Sequence, residues 1–131
     1  MKNIQHLLAH KNFHLTLAIG WTLLILVLCL VSFKKLPSVN ISEADKYVHS
    51  TFHFVFTVLW YVVLKQRNFR HKLICVFFAS VIFGSVIEIL QGTFTATRQA
   101  DIYDVFANSF GAFLAVSALY IYSNYLNKKA L

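Results

Sequence analysis

The sequence predicts an all-α protein, a four-helix transmembrane bundle with both termini in the cytoplasm. Of its 131 residues, 58% are hydrophobic and only 13% charged, against about 25% charged in an ordinary soluble domain. The apolar residues fall into four long runs, and the basic residues fall between those runs. A chain this apolar lacks the polar surface to cover a core in water, so its second apolar solvent is a bilayer. At about 20 residues per span, four spans and their connections fill residues 1–131 as a single domain. Disorder, a disulfide scaffold and a multidomain enzyme are excluded. A net charge of +7 in a soluble protein would suggest nucleic acid. Distributed between apolar runs, it orients a membrane protein instead and implies no nucleic-acid partner.

The first span is expected at residues 15–33, which carry no charge and are followed by Lys34, Lys35 and Pro37. That junction ends a helix on polarity and backbone grounds alike. A signal peptide is the competing reading, but the run exceeds the usual 7–15 residues and Val31-Ser32-Phe33 lacks a small-x-small cleavage pattern. The second span, 47–64, is interrupted only by His49, His53 and small hydroxyls. A basic stretch from Lys65 to Lys72 leads to the third, 73–90, which holds one acid, Glu88. A polar segment from Gln91 to Asp101 precedes the last, 102–123, which carries Asp104 and Asn108.

Counting Lys and Arg sets the orientation, because basic loops are retained in the cytoplasm. Both termini and the middle loop together hold eight (Lys2, Lys11, Lys65, Arg67, Arg70, Lys72, Lys128, Lys129), and the other side holds four (Lys34, Lys35, Lys46, Arg98). Trp60, Tyr61, Tyr120, Tyr122 and Tyr125 are expected as an aromatic belt at the cytoplasmic ends, with Tyr47 and Tyr103 at the opposite ends.

All five acids, Glu43, Asp45, Glu88, Asp101 and Asp104, fall toward the outer side in this topology. In span four, Asp101, Asp104, Asn108 and Gly111 recur at intervals of three, four and three, a single stripe that Ala115 and Ala118 continue inward. Gly84, Glu88 and Gln91 share a face of span three, and Lys46, His49 and His53 share one of span two. An ionised acid near a helix centre costs about 2.5–3.5 kcal/mol on insertion scales, so Glu88 and Asp104 are expected to face protein. Their expected partners are Lys46, Arg98 and His49. Gly111 and the alanines beyond it let span four approach a neighbour closely.

Asp45-Lys46-x-x-His49, Glu88-x-x-Gln91 and Arg98-x-x-Asp101-x-x-Asp104-x-x-x-Asn108-x-x-Gly111 together resemble the VanZ-like family of small bacterial membrane proteins, named for a protein linked to low-level teicoplanin resistance. The resemblance runs from Asp45 to the end of span four. Ala115 stands where that family often has a second glycine. The resemblance implies a multi-pass protein of the bacterial inner membrane with a cell-envelope role, but it carries no agreed activity.

The expected ligand-binding residues are therefore Asp45, Lys46, His49, Glu88, Gln91, Arg98, Asp101, Asp104 and Asn108, forming a polar pocket at the outer face. Its expected ligand is an anionic or polar envelope component: a lipid headgroup, a lipid-linked cell-wall intermediate or a lipoglycopeptide. Lys46 and Arg98 would contact phosphate or carboxylate. The rival enzymatic reading takes Glu88, His49 and Asp104 as acid–base candidates on a lipid-linked substrate, with no nucleophile motif to support it. The remaining readings are an ion-pair network that fixes helix register and a transporter subunit, which would require an oligomer. A metal site from His49, Glu88, Asp101 and Asp104 lacks any H-E-x-x-H spacing, so neither metal nor cofactor is expected. Cys29 and Cys75 lie about 20 Å apart in depth, too far for a disulfide. His53 reads as a helix-contact histidine.

Cysteines introduced at positions 2 and 129 should resist impermeant thiol reagents in intact cells. Labelling of either from outside would refute the eight-to-four orientation.

Overall fold

The structure is a computed structural model. It describes the backbone of residues 2–30, 42–95 and 100–129, and the side chains of residues 12–30, 45–95 and 100–129. The described residues form four helices: α1 Lys2–Leu30, α2 Ser42–Gln66, α3 Lys72–Phe94 and α4 Ile102–Lys129. Within them Asn12–Leu30, Asp45–Gln66, Lys72–Phe94 and Ile102–Lys129 are long and apolar enough to cross a membrane.

The helices outrun the expected spans, and residues 31–33 of the first lie outside the described residues. Gln91, expected to begin a connection, is instead a buried residue of α3. An apolar run marks the lipid-crossing part of a helix, whereas the backbone continues as long as its end groups find partners. At Gln91 the side-chain Nε2 donates to the Cys29 carbonyl at 2.9 Å. That bond ties the end of α3 to α1.

Successive helices run antiparallel. Gln66 donates to His14 at 2.9 Å and Trp60 to Thr22 at 3.1 Å, pairing the end of α2 with the start of the α1 span. Phe56 of α2 stacks on Phe83 of α3 at 5.1 Å between centroids. The non-sequential pair α2 and α4 runs parallel and makes the largest contact in the bundle. Among the described residues α1 packs on α2 and α3 and does not reach α4. Its seam is fixed by Trp21, whose indole donates to the Phe52 carbonyl at 3.0 Å.

Gly111 explains the closeness of α2 and α4. A Cβ built there would lie 2.7 Å from the Ser50 carbonyl carbon and 2.9 Å from its Cα, so the two backbones touch where the side chain is absent. The expected inward stripe of α4 is corrected at its far end. Asp104, Asn108, Gly111, Ala112 and Ala115 are buried, but Ala118 is exposed. Steps of 3.6 residues rotate the contact face away from a strict three–four alternation within three turns, and Ala112 takes part in its place.

The outward surface is apolar, with Leu23, Val27, Ile82, Ile89, Phe106, Phe110, Phe113 and Ile121 exposed. Tyr47, Tyr103, Tyr120, Tyr122 and Tyr125 are exposed as well. Tyr61 departs from the expected belt: it is 5% exposed and belongs to the core. Cys29 and Cys75 are free thiols.

The α2–α3 turn closes through a pair of backbone bonds, Phe69 N–H to the Leu64 carbonyl at 3.1 Å and Asn68 N–H to the Lys65 carbonyl at 3.2 Å. Asn68 sits between them at φ 54°, the left-handed position that ends a helix in this manner and that asparagine tolerates better than other side-chain-bearing residues.

Two glycines give a paired test of the interface. Gly111→Ala should lower stability in detergent by about 1–3 kcal/mol, the usual cost of overpacking. Gly20→Ala, at a site with nothing within 4 Å, should raise it slightly through helix propensity. Equal thermal shifts in the two variants would contradict the close approach.

Candidate functional site

The starting ends of α2 and α4 and the finishing ends of α1 and α3 meet at one end of the bundle, and the described acids gather there. Asp45 lies in the first turn of α2 and Asp104 in the first turn of α4, where the helix dipole favours a carboxylate. Glu88 comes from the last two turns of α3. The basic residues Lys65, Arg67, Arg70, Lys72, Lys128 and Lys129 fall at the opposite end.

His49 is the centre. It is 2% exposed, one turn into the bundle from Asp45. Its Nδ1 is 3.1 Å from Asn108 Oδ1 on α4 and 3.8 Å from Glu88 Oε1 on α3. Its Nε2 lies 3.9 Å from Asp45 Oδ1 and 3.9 Å from Asp104 Oδ2. One imidazole thus touches polar groups from three helices. Of the three expected partners of Glu88, His49 is the one the described residues show.

Glu88 divides its carboxylate between two tasks. Oε2 accepts the Asp101 backbone N–H at 3.2 Å, holding the start of α4 against the end of α3. Oε1 is buried with no hydrogen-bond partner among the described residues. Asp101 is the cap of α4: its Oδ1 accepts the Tyr103 N–H at 2.9 Å, satisfying one of the four unbonded donors at a helix start. An acid directly before an apolar run is a recognisable capping signal, and Asp101-Ile102-Tyr103 carries it.

Asn108 owes its place to Gly84. A Cβ at Gly84 would come within 2.8 Å of Asn108 Nδ2 and 3.0 Å of His53 Cε1, so the glycine makes room for two polar side chains in the centre of the bundle. His53 itself pairs with Ser80 Oγ at 2.8 Å beneath the rings of Phe56 and Phe83. It is separate from the His49 group and ties α2 to α3. Ser80 and Gly84, both of α3, are partners that the sequence reading did not name for it.

Two other expected site residues fall elsewhere. Gln91 bonds to α1 rather than to the acids. The Lys46 ammonium stands over the Tyr103 ring, 5.2 Å from its centroid, a cation–π contact at the rim. Arg98 lies outside the described residues. Among these groups Asp45, His49 and Asp104 alone bring three potential ligand atoms within 4.8 Å of one another.

Beside this group, a cavity of about 380 Å³ opens between α3 and α4, lined by Ser85, Glu88, Ile89, Ala100, Asp101, Ile102 and Val105. Ile89 and Ile102 on its rim are exposed on the apolar flank. The cavity is therefore bordered both by the acids Glu88 and Asp101 and by apolar side chains on the flank of the bundle.

The family model described as VanZ/LLP1 matches residues 6–123. The match takes in α1 as well as the three helices that carry the quoted motifs. No curated protein and no solved structure matches the chain.

Glu88→Leu should destabilise the bundle by about 1–3 kcal/mol, because the Asp101 N–H loses its acceptor. Glu88→Gln keeps an acceptor oxygen and should lose less. Equal melting curves for the two variants in detergent would show that the Glu88 to Asp101 bond does not hold α4.

Proposed function

We propose, from the premise that this chain belongs to the VanZ/LLP1 family, that it is a multi-pass protein of the bacterial inner membrane that binds the polar head of an amphiphilic cell-envelope component. The side-opening cavity between α3 and α4 carries this reading. A lipid-anchored ligand diffuses in the plane of the membrane and reaches a polar pocket without leaving the bilayer only through a lateral mouth. The apolar rim at Ile89, Ile102 and Val105 suits its chain, and the Glu88 and Asp101 carboxylates suit donors on its head.

Carboxylates accept hydrogen bonds, so the part of the head that reaches them carries hydroxyl or amine groups, as sugars and amino sugars do. For a phosphate or carboxylate on the same head, Lys46 beside Tyr103 and Arg98 are the cations that the sequence offers on this side. A lipid headgroup, a lipid-linked cell-wall intermediate and a lipoglycopeptide all offer that combination. Through such a ligand the protein would influence tolerance to glycopeptides.

Native mass spectrometry of protein released directly from membranes tests the reading. Wild-type protein should carry a copurifying lipid-linked species. Val105→Trp, which fills the cavity, should lose it, while Phe113→Trp on the exposed face of α4 should keep it. An identical lipid complement in all three refutes binding at the cavity. Chemical conversion of the species by wild-type protein would favour the enzymatic reading, with Glu88, His49 and Asp104 as its acid–base groups.

A further inference from the structure

We propose that the basic end of the bundle holds an anionic glycerophospholipid, with its phosphate in the cavity between the end of α2, the start of α3 and the end of α4, and an acyl chain in the apolar groove that leads from that cavity. The chemistry of the cavity is the first argument. Its volume is about 330 Å³, and Arg70, His71 and Lys72 line it together with Tyr120, Ser123 and Asn124 of α4. No acid lines it, and neither Arg70 nor Lys72 has an ion-pair partner among the described residues. Two positive charges and several neutral donors suit an anion with several oxygen atoms.

The start of α3 adds backbone donors. The first backbone bond of that helix runs from Cys75 N–H to the His71 carbonyl at 3.0 Å, so the N–H groups of Lys72, Leu73 and Ile74 precede it. All three residues line the cavity, and the N-cap residue His71 makes no side-chain cap. A phosphate there meets unbonded donors at the positive end of the helix dipole.

A buried tyrosine supplies an independent observation. Tyr61 of α2 lines the same cavity and is 5% exposed, yet its hydroxyl has no hydrogen-bond partner among the described residues. Buried tyrosine hydroxyls ordinarily find one. The buried side chains of His49, His53, Thr57 and Gln91 each have one. Glu88 Oε1 and Asn108 Nδ2 are the side-chain atoms sealed without a partner, so the Tyr61 hydroxyl is unpartnered without being sealed. The space it lines is the cavity, where a ligand oxygen would complete it.

The groove identifies the rest of the ligand. Leu73 and Ile74 of the cavity also line an apolar groove of about 240 Å³, which Phe77 and Phe78 continue along α3 and Phe113 and Val116 along α4. Ile74, Phe78 and Phe113 are more than half exposed on the apolar outer surface. The groove therefore begins beside the cationic cavity and runs inward along the helices, the order of parts in a phospholipid. Inorganic phosphate would leave it empty. Basic pockets between membrane helices suit such headgroups, and this one takes the phosphate and the chain without reading the remainder of the head.

The site lies at the opposite end of the bundle from the Glu88 cavity, so it stands or falls separately from the envelope-ligand reading. Delipidated protein in detergent, titrated by native mass spectrometry, should bind phosphatidylglycerol one to one and prefer it to phosphatidylcholine of the same chain length. Arg70→Gln with Lys72→Gln should weaken that binding by about 10–100-fold, the worth of a charge-assisted hydrogen bond. Lys65→Gln with Arg67→Gln removes the same charge from the same end, outside the cavity, and should change it by less than about threefold. Tyr61→Phe should weaken binding by about 2–10-fold, the worth of one neutral hydrogen bond, and Val116→Trp, which fills the groove, should weaken it too. Phosphatidylglycerol should also raise the melting temperature of the wild-type protein, and not that of the Arg70 and Lys72 double variant. Equal losses in the two charge pairs overturn the proposal, by showing diffuse attraction. Binding indifferent to both Tyr61→Phe and Val116→Trp overturns it as well. Displacement of the lipid by millimolar inorganic phosphate also overturns it, by showing an anion site that makes no use of the chain.

Discussion

Within a lipid-facing bundle a polar side chain has no water to fall back on, so its partners have to come from other helices. His49 is where this constraint is most demanding, and much of the architecture follows from meeting it. Asn108 must reach its Nδ1, which brings α4 beside α2. Asn108 itself needs space, which Gly84 of α3 supplies. For the two helices to come that close, Gly111 must have no side chain opposite Ser50. Glu88, drawn to the same imidazole, then ties α3 to the start of α4 through the Asp101 N–H. A single buried ring thus has polar neighbours on three helices. Hydrophobic packing alone would leave helix register loose, because each helix is apolar on its lipid side as well as its inner side.

The helix count and the burial of the acids were legible because both are one-dimensional properties of the chain. Four uncharged or nearly uncharged runs require four spans, and Asp104, Asn108 and Gly111 lie on one stripe wherever the helix points. The grouping of acids at one end followed from the order of the runs. The roles within the group did not follow. Asp101 and Asp104 are three residues apart and chemically alike, yet one caps its own helix and the other faces His49. Gln91 shares a face with Glu88, yet it serves α1. Such differences depend on which neighbour stands opposite, and pairings between non-adjacent helices leave no periodic trace. Tyr61 shows the same limit, since an aromatic residue near a helix end fits a headgroup belt and a core equally well by sequence.

Among the described residues the acids lie at one end of the bundle, and every lysine and arginine but Lys46 lies at the other, which gives the two ends different chemistry. The carboxylate end gathers Asp45, Glu88, Asp104 and Asn108 around His49. The basic end holds Arg70, His71 and Lys72 around a second cavity of about 330 Å³, also lined by Tyr61 and Tyr120. Its charges are carried on long exposed side chains, which attract anionic surfaces without specifying one partner. α1 stands outside this division. It joins the bundle through indole and amide bonds to α2 and α3, and it contributes no described side chain to the His49 group.

The parallel pairing of α2 with α4 also has a consequence for biogenesis. Ribosomes deliver the helices in order at about 5–20 residues per second, and 63 residues separate the end of α2 at Gln66 from the end of α4 at Lys129. For roughly 3–13 seconds, at that rate, α2 is made while Asn108 and Gly111 are not yet in place. His49 and Asp45 spend that interval exposed on a nascent hairpin with no finished partner. Such a segment is retained more easily in the aqueous vestibule of the insertion machinery than released singly into lipid. Release of α2 and α4 together, late in synthesis, would let the close-packed pair form before either meets hydrocarbon with its polar face uncovered.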